Sequence, residues 1–261
     1  MRRTNLTELA GNPNFISGIY NYCDRWCERC PFTSRCLVFA QEQEDADESP
    51  ESRDINNEAF WQKLASIFQE TQELIAQWAK EAGIDLSDVD EETITLRRRR
   101  RDRAGQSRLA KAGKQYASAV SQWFTEFDQT LSASDLEPNE SDVEQAEQLL
   151  DAREVIHWYQ YQIAVKTMRA LSSRGDETEP GDMALDELSR DSDGSAKVAL
   201  IGIDRSISAW RLMQLCVPER AELVVPLILQ LEQLRHRTEK QFPQARDFIR
   251  PGFDEILGEA N

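Results

Sequence analysis

Residues 142–172 read DVEQAEQLLDAREVIHWYQYQIAVKTMRALS. Within them Leu149, Ala152, Ile156, Tyr159, Ile163, Thr167 and Ala170 recur at spacings of three and four, the period of a helix that buries one face. The spacing predicts a helix over the whole stretch, the longest in the chain. Upstream, Phe60, Leu64, Ile67, Phe68, Leu74, Ile75 and Trp78 predict a helix over 58–82, with Gly83 placed to end it. Leu109, Tyr116, Val120, Trp123 and Phe124 predict another over 107–131, which stops at the Ser/Asp/Pro/Asn-rich loop LSASDLEPNESD, 131–142. Downstream, two more are expected over 196–216 and 219–241. The last carries ELVVPLILQLEQL, 222–234, apolar on nearly every side, and is expected to be the most buried element and the centre of the bundle, with Pro226 bending it or lying in its first turns. The polar stretch SSRGDETEPGDMALDELSRDSDGS, 172–195, reads as a mobile connection or a short helix. Nowhere do apolar and polar residues alternate strictly, and there is no internal repeat. The expected architecture is an all-α bundle of about five long helices.

The composition bounds the partners. The chain has 261 residues, 40% hydrophobic, with 31 Lys plus Arg against 47 Asp plus Glu, a net charge of −16. So acidic a surface repels phosphate backbones and anionic lipid, which excludes a general nucleic-acid coat protein. Behind MRRTNLTELAGN, 1–12, there is no apolar run, and no window approaches the roughly 20 apolar residues that cross a bilayer. A soluble, unexported, cytoplasmic chain with no membrane partner is expected.

The strongest signal is cysteine placement. Four of the five cysteines fall between positions 23 and 36, as Cys23-x3-Cys27-x2-Cys30-x5-Cys36, and Cys216 stands alone as a small buried hydrophobe. Such density in an otherwise cysteine-poor chain points to a metal or to redox chemistry. Clustered thiolates select zinc or iron–sulfur over oxygen-loving ions. Phe15, Ile19, Cys23, Cys27 and Cys30 recur at three and four, a helical stripe within 15–40. On one helix, Cys23 and Cys30 stand about 10 Å apart along the axis, a gap that a [4Fe–4S] cluster spans more easily than a single zinc ion. Unwinding between Cys27 and Pro31 would restore zinc. The domain plan is then a metal-binding knob, 1–40; a linker, 41–57, with seven acidic residues among positions 42–54; a helical bundle, 58–246; and a C-terminal tail, 247–261.

The ten residues CERCPFTSRC, 27–36, resemble the Cys-x2-Cys-Pro-x4-Cys end of the [4Fe–4S] loop of adenine-DNA and endonuclease-III-type DNA glycosylases. The resemblance implies that Cys27, Cys30 and Cys36 are cluster ligands, with Pro31 following the second of them, and that the cluster is structural or redox-active. It stops at these ten residues. The first gap is shorter here, and no helix-hairpin-helix with a catalytic Asp accompanies it, so glycosylase activity is not implied. Cys23-x3-Cys27-x2-Cys30 is also similar to the cysteine motif of radical SAM enzymes, but Cys36 offers a fourth thiolate and the chain lacks the alternating strands and helices of that barrel.

Two weaker constellations remain. Glu154-x2-His157 and Glu232-x3-His236 each pair a carboxylate with one of the two histidines. They would serve a ferritin-like metal site in the bundle, an incomplete one because only the first pair has the right spacing. Otherwise these histidines make surface or inter-helix hydrogen bonds. Arg97, Arg98, Arg99, Arg100, Arg101 and Arg103, extended by Arg108, form a basic run just after the acidic IDLSDVDEE, 84–92. They either face solvent, balanced by that block, or grip an anionic partner, the only route by which nucleic acid would bind. Trp158, Tyr159 and Tyr161 beside His157 read as core or as a pocket lining. No P-loop, GxGxxG, GxSxG or HExxH occurs. The expected function is a metal-binding adaptor, redox or structural, that meets protein partners. The alternative is a metalloenzyme with the second site in its bundle, and whether the chain is an enzyme stays open.

Overall fold

In the computed structural model the described residues are 12–46, 50–83, 91–130, 140–174, 182–218 and 221–254. Expectations placed on 1–11, 47–49, 84–90, 131–139, 175–181, 219–220 and 255–261 fall outside them. Among the described residues the regular elements are all helical. Seven are α-helices: α1 Leu37–Ala46, α2 Glu58–Ala82, α3 Glu91–Gln106, α4 Arg108–Thr130, α5 Glu140–Ser173, α6 Asp182–Cys216 and α7 Ala221–Gln241. Two compact units emerge, one drawn from Met1–Asn21, Arg25–Arg97 and Pro251–Phe253, the other from Tyr22–Asp24, Arg98–Arg250 and Asp254–Asn261.

The second unit is a four-helix bundle in which α4 packs on α5, α5 on α6, α6 on α7 and α7 back on α4. Neighbours run antiparallel. Gln160 Nε2 on α5 donates to Ala117 O on α4 at 2.9 Å, while Gly113, earlier on α4, lies against Ala164, later on α5. Ser192 Oγ on α6 donates to Ala170 O on α5 at 2.8 Å, while Gly202 faces Tyr159 and Ile163. Arg211 on α6 pairs with Glu232 on α7, and Asp204 with Arg235. The core holds Tyr116, Val120, Ile156, Tyr159, Ile163, Leu200, Ile203, Trp210, Met213, Leu231 and Leu234. At its centre Trp210 Nε1 donates to Tyr116 Oη at 3.0 Å, and Trp123 meets the Trp210 ring edge-on at 5.0 Å.

The helices expected from periodicity form. Asn57 caps α2, its Oδ1 accepting from Ala59 N–H at 3.0 Å, and Gly83 closes it at φ 67, a left-handed conformation that glycine adopts without cost. Four expectations are corrected. α6, with 35 residues, and not α5, with 34, is the longest helix among the described residues. Residues 91–106 are helical, so six long helices stand where about five were expected. Residues 182–195 are the first turns of α6 and not a connection, because tertiary contacts hold them: Ser192 reaches Ala170, Asp191 takes Arg169 and Ser173, and Gly194 lies under the rings of Tyr22 and Phe248. α7 is not the most buried helix. It hides Val224, Leu227, Leu231, Leu234 and Thr238 on one face and leaves Leu223, Val225 and Leu229 exposed, whereas α6 buries Ser192, Ser195, Ala199, Gly202, Ser206 and Ala209, with Ser192 and Gly202 set against α5. Small side chains at alternating three and four spacing let the two axes approach, so α6 is the most buried helix. Among the described residues no helix is long and apolar enough to cross a membrane.

A methyl group at position 194 would stand 2.6 Å from Tyr22 Cδ1 and 2.8 Å from Phe248 Cζ. Gly194→Ala is therefore expected to lower the unfolding free energy by about 1–3 kcal/mol, read as a lower urea midpoint at unchanged slope. An unmoved midpoint would remove the Tyr22 ring from this position.

Candidate metal centre

Residues 12–36 form no α-helix. They make three short 3-10 turns, Ile19–Asn21, Cys27–Arg29 and Thr33–Arg35, and then enter α1. The continuous helical stripe through Phe15, Ile19, Cys23, Cys27 and Cys30 is thus corrected, for two local reasons. Arg25 sits at φ 57, left-handed backbone that interrupts a right-handed helix between Cys23 and Cys27. Cys30 leaves its turn extended, at φ −88 and ψ 124, as the residue before Pro31 prefers.

The two cysteine turns have one form. Cys30 N–H donates to Cys27 O at 3.2 Å, and Cys36 N–H donates to Thr33 O at 3.2 Å. Residues three apart in a 3-10 turn stand one above the other, which sets Cys27 and Cys30 on one side of the chain. The 10 Å axial separation that favoured a cluster over a single ion assumed a helix that does not form. All five cysteines lie among the described residues; none is in a disulfide and each is half-buried. Cys216, expected to be buried, is the half-buried last residue of α6. Among the described residues no three His, Cys, Asp or Glu side chains are gathered as a metal ion would require.

Few side chains of this stretch are buried among the described residues. Ile19 at 2% and Trp26 at 4% exposure are the only side chains buried within 12–36. Arg29 stacks over the Trp26 ring at 4.1 Å, Arg25 pairs with Glu42 at 2.7 Å, and Ile16 N–H donates to Arg35 O at 3.0 Å. Cover comes from the far end of the sequence: Ile16 and Ile19 lie against Gly252, and Phe32 meets Phe253 edge-on at 5.1 Å.

Tyr22 and Asp24, on either side of Cys23, are fixed to the bundle. The Asp24 carboxylate accepts from Tyr159 Oη at 2.5 Å and from Arg205 Nη1 at 2.7 Å, and its carbonyl accepts from Trp158 Nε1 at 2.9 Å and from Gln162. Burial, reinforced by Asp24, pushes the Tyr159 phenol above its ordinary pKa, so it remains a donor. Tyr22 Oη donates to Asp191 at 3.3 Å, and Arg169 and Ser173 reach the same carboxylate at 2.6 and 2.7 Å. These partners lie up to 181 residues apart in sequence, and no local pattern announced them. Of the aromatic trio, Tyr159 is buried, Trp158 half-buried, and Tyr161 exposed with its hydroxyl 3.0 Å from Ser121 Oγ.

The residues of the second constellation lie on α5 and α7. His157 is exposed and stacks on Phe124 with ring centroids 4.0 Å apart, beside the exposed Glu154. Glu232 pairs with Arg235 and Arg211, and His236 is exposed. On α3, Arg97, Arg98, Arg99, Arg101 and Arg103 are exposed and Arg100 is half-buried. At 100° per residue the run surrounds the helix with guanidinium groups. No protein-family model, curated protein or solved structure matches the chain.

Burial alone would raise the Asp191 pKa, but hydrogen bonds from Arg169 and Ser173 outweigh it and hold the carboxyl below its ordinary value. Its contribution is therefore complete above the unfolded carboxyl pKa of about 3.9 and is lost as the pH falls through the lower folded value. Asp191→Asn is expected to cost about 1 kcal/mol at pH 7, discounted because Arg169 is partly exposed. Urea midpoints should show the deficit shrinking below pH 4; an equal deficit at pH 3 and pH 7 would rule out this ionisation as its source.

Proposed function

We propose that this chain is a metal-stapled helical adaptor in which Cys23, Cys27, Cys30 and Cys36 bind a thiolate-held metal. The observation that carries the reading is the poverty of the stretch around them: four thiols within fourteen residues, none in a disulfide, on short turns with two buried side chains. Segments this small need disulfides, metals or partners to hold a fold. A [4Fe–4S] cluster is the first reading, on ligand type and on the resemblance of 27–36. The extended backbone at Cys30 favours a second, a single zinc ion, because the helical geometry that spoke for the larger group is absent. Bound metal would give the module a rigid surface, or a redox relay, for protein partners in a reducing compartment such as the cytoplasm.

Anaerobic purification with absorption spectroscopy and metal analysis distinguishes the two. About four iron and about four sulfide per chain with a broad visible band means a cluster; about one zinc in a colourless protein means a single ion. Cys27→Ser with Cys30→Ser is expected to abolish metal content while the bundle keeps its helical circular dichroism. Full metal content after all four cysteines are replaced by serine would sink the proposal.

The exposure of the α3 arginines favours an anionic partner at 97–103. Binding to heparin or generic RNA should then weaken at least tenfold between 50 and 200 mM salt, and Arg98→Gln with Arg101→Gln should flatten that dependence. Affinity indifferent to salt would reject phosphate or sulfate contacts.

A further inference from the structure

α2 is amphipathic along its 25 residues, and much of its apolar face is exposed among the described residues. Phe60, Leu64, Ile67, Thr71, Leu74 and Trp78 follow one another at steps of four and three, the seam of a coiled coil. Trp61, Phe68 and Ile75, seven apart, widen that seam on one side. None of these nine residues is charged. The opposite side is satisfied along the helix itself: Gln62 donates to Glu58, Ser66 to Glu70, Gln69 to Glu73 and Gln77 to Glu81, at 2.9–3.0 Å. Such pairs support a helix without tertiary contacts. The apolar side is covered only in part among the described residues: Trp61 Nε1 donates to Ile55 O at 2.9 Å and Ala79 is buried, but Trp61 stays 53%, Phe68 60%, Ile75 47% and Trp78 59% exposed.

We propose that α2 is a self-association helix, and that this face packs against the same face of a second copy of the chain. The inference does not rest on the metal. Three observations commit it to a second copy. The four-and-three spacing is self-complementary, and an isologous contact needs one patch that matches itself. The uncharged seam lets two copies meet without burying like charges, despite a net −16 per chain. The area is also of the right size: the four exposed side chains present roughly 400–500 Å². With the half-buried Phe60, Leu64, Ile67 and Leu74 the face reaches roughly 700–800 Å², about what each partner gives to a stable interface. A membrane is the poorer occupant, because α2 carries Glu58, Glu70, Glu73 and Glu81 against Lys63 and Lys80, the wrong balance for an anionic lipid surface.

The test uses the full chain, followed by size-exclusion chromatography with light scattering from 1 to 100 μM. The parent is expected at twice its 30.0 kDa chain mass. Phe68→Glu with Ile75→Glu, at positions exposed within the chain, should weaken association at least 100-fold at unchanged circular dichroism. Thr71→Leu, which replaces the one polar residue of the seam, should tighten it. Gln62→Glu with Gln69→Glu, on the polar side, should leave it unaltered. A parent that stays monomeric throughout, a dimer that survives the Phe68 and Ile75 changes, or a parent that binds anionic vesicles in preference to itself overturns the proposal.

Discussion

The bundle rests on how closely α5 and α6 approach. Two long helices can run side by side at short range only if one of them presents almost no side-chain volume, and α6 does so through Ser192, Ser195, Ala199, Gly202, Ser206 and Ala209. There α5 sets Tyr159 and Ile163 against Gly202 and Ala170 against Ser192. The large side chains of α6, Leu200, Ile203, Trp210 and Met213, fill the remaining interior, where Trp210 meets Tyr116 and Trp123 of α4. The proximity also brings Tyr159 and Arg205 within reach of one carboxylate, Asp24, and Arg169 and Ser173 within reach of another, Asp191.

Those two carboxylates give the tripeptide Tyr22, Cys23, Asp24 its place. Tyr22 is tied to Asp191 by one hydrogen bond and Asp24 to α5 and α6 by four, so the bundle holds both neighbours of Cys23. Cys27, Cys30 and Cys36 are shaped differently. Their backbone is set by two 3-10 turns and by a left-handed Arg25, with little buried area behind them. A left-handed residue other than glycine persists only where its surroundings over-determine it, and such positions gather at functional sites.

Much of the fold was legible because three helices, 58–82, 107–131 and 142–172, repeat apolar residues at helical spacing, and Gly83 marks the end of the first in plain view. Other parts were not. Residues 182–195 read as a connection because their polar and glycine content is a response to neighbours, Gly194 making room for two rings and Asp191 accepting a distant arginine. At 15–30 the cysteine spacing imitates a helical period, yet a proline after Cys30 and the conformation of Arg25 break the helix. For the candidate site, the thiol spacing was visible from the residues alone. The supports of Cys23 were not, since Asp24 finds Tyr159 and Arg205 only after the bundle has formed.

The contact of Gly252 and Phe253 with Ile16, Ile19 and Phe32 bears on the order in which the chain is made. On the ribosome the cysteines emerge early, whereas the residues that cover their neighbours emerge after every helix of the bundle. At typical translation rates of about 5–20 residues per second, more than 200 further residues mean on the order of 10–40 s during which this segment is in the cell with its apolar side chains uncovered. Its thiols meet solvent before the segment that covers their neighbours has been made.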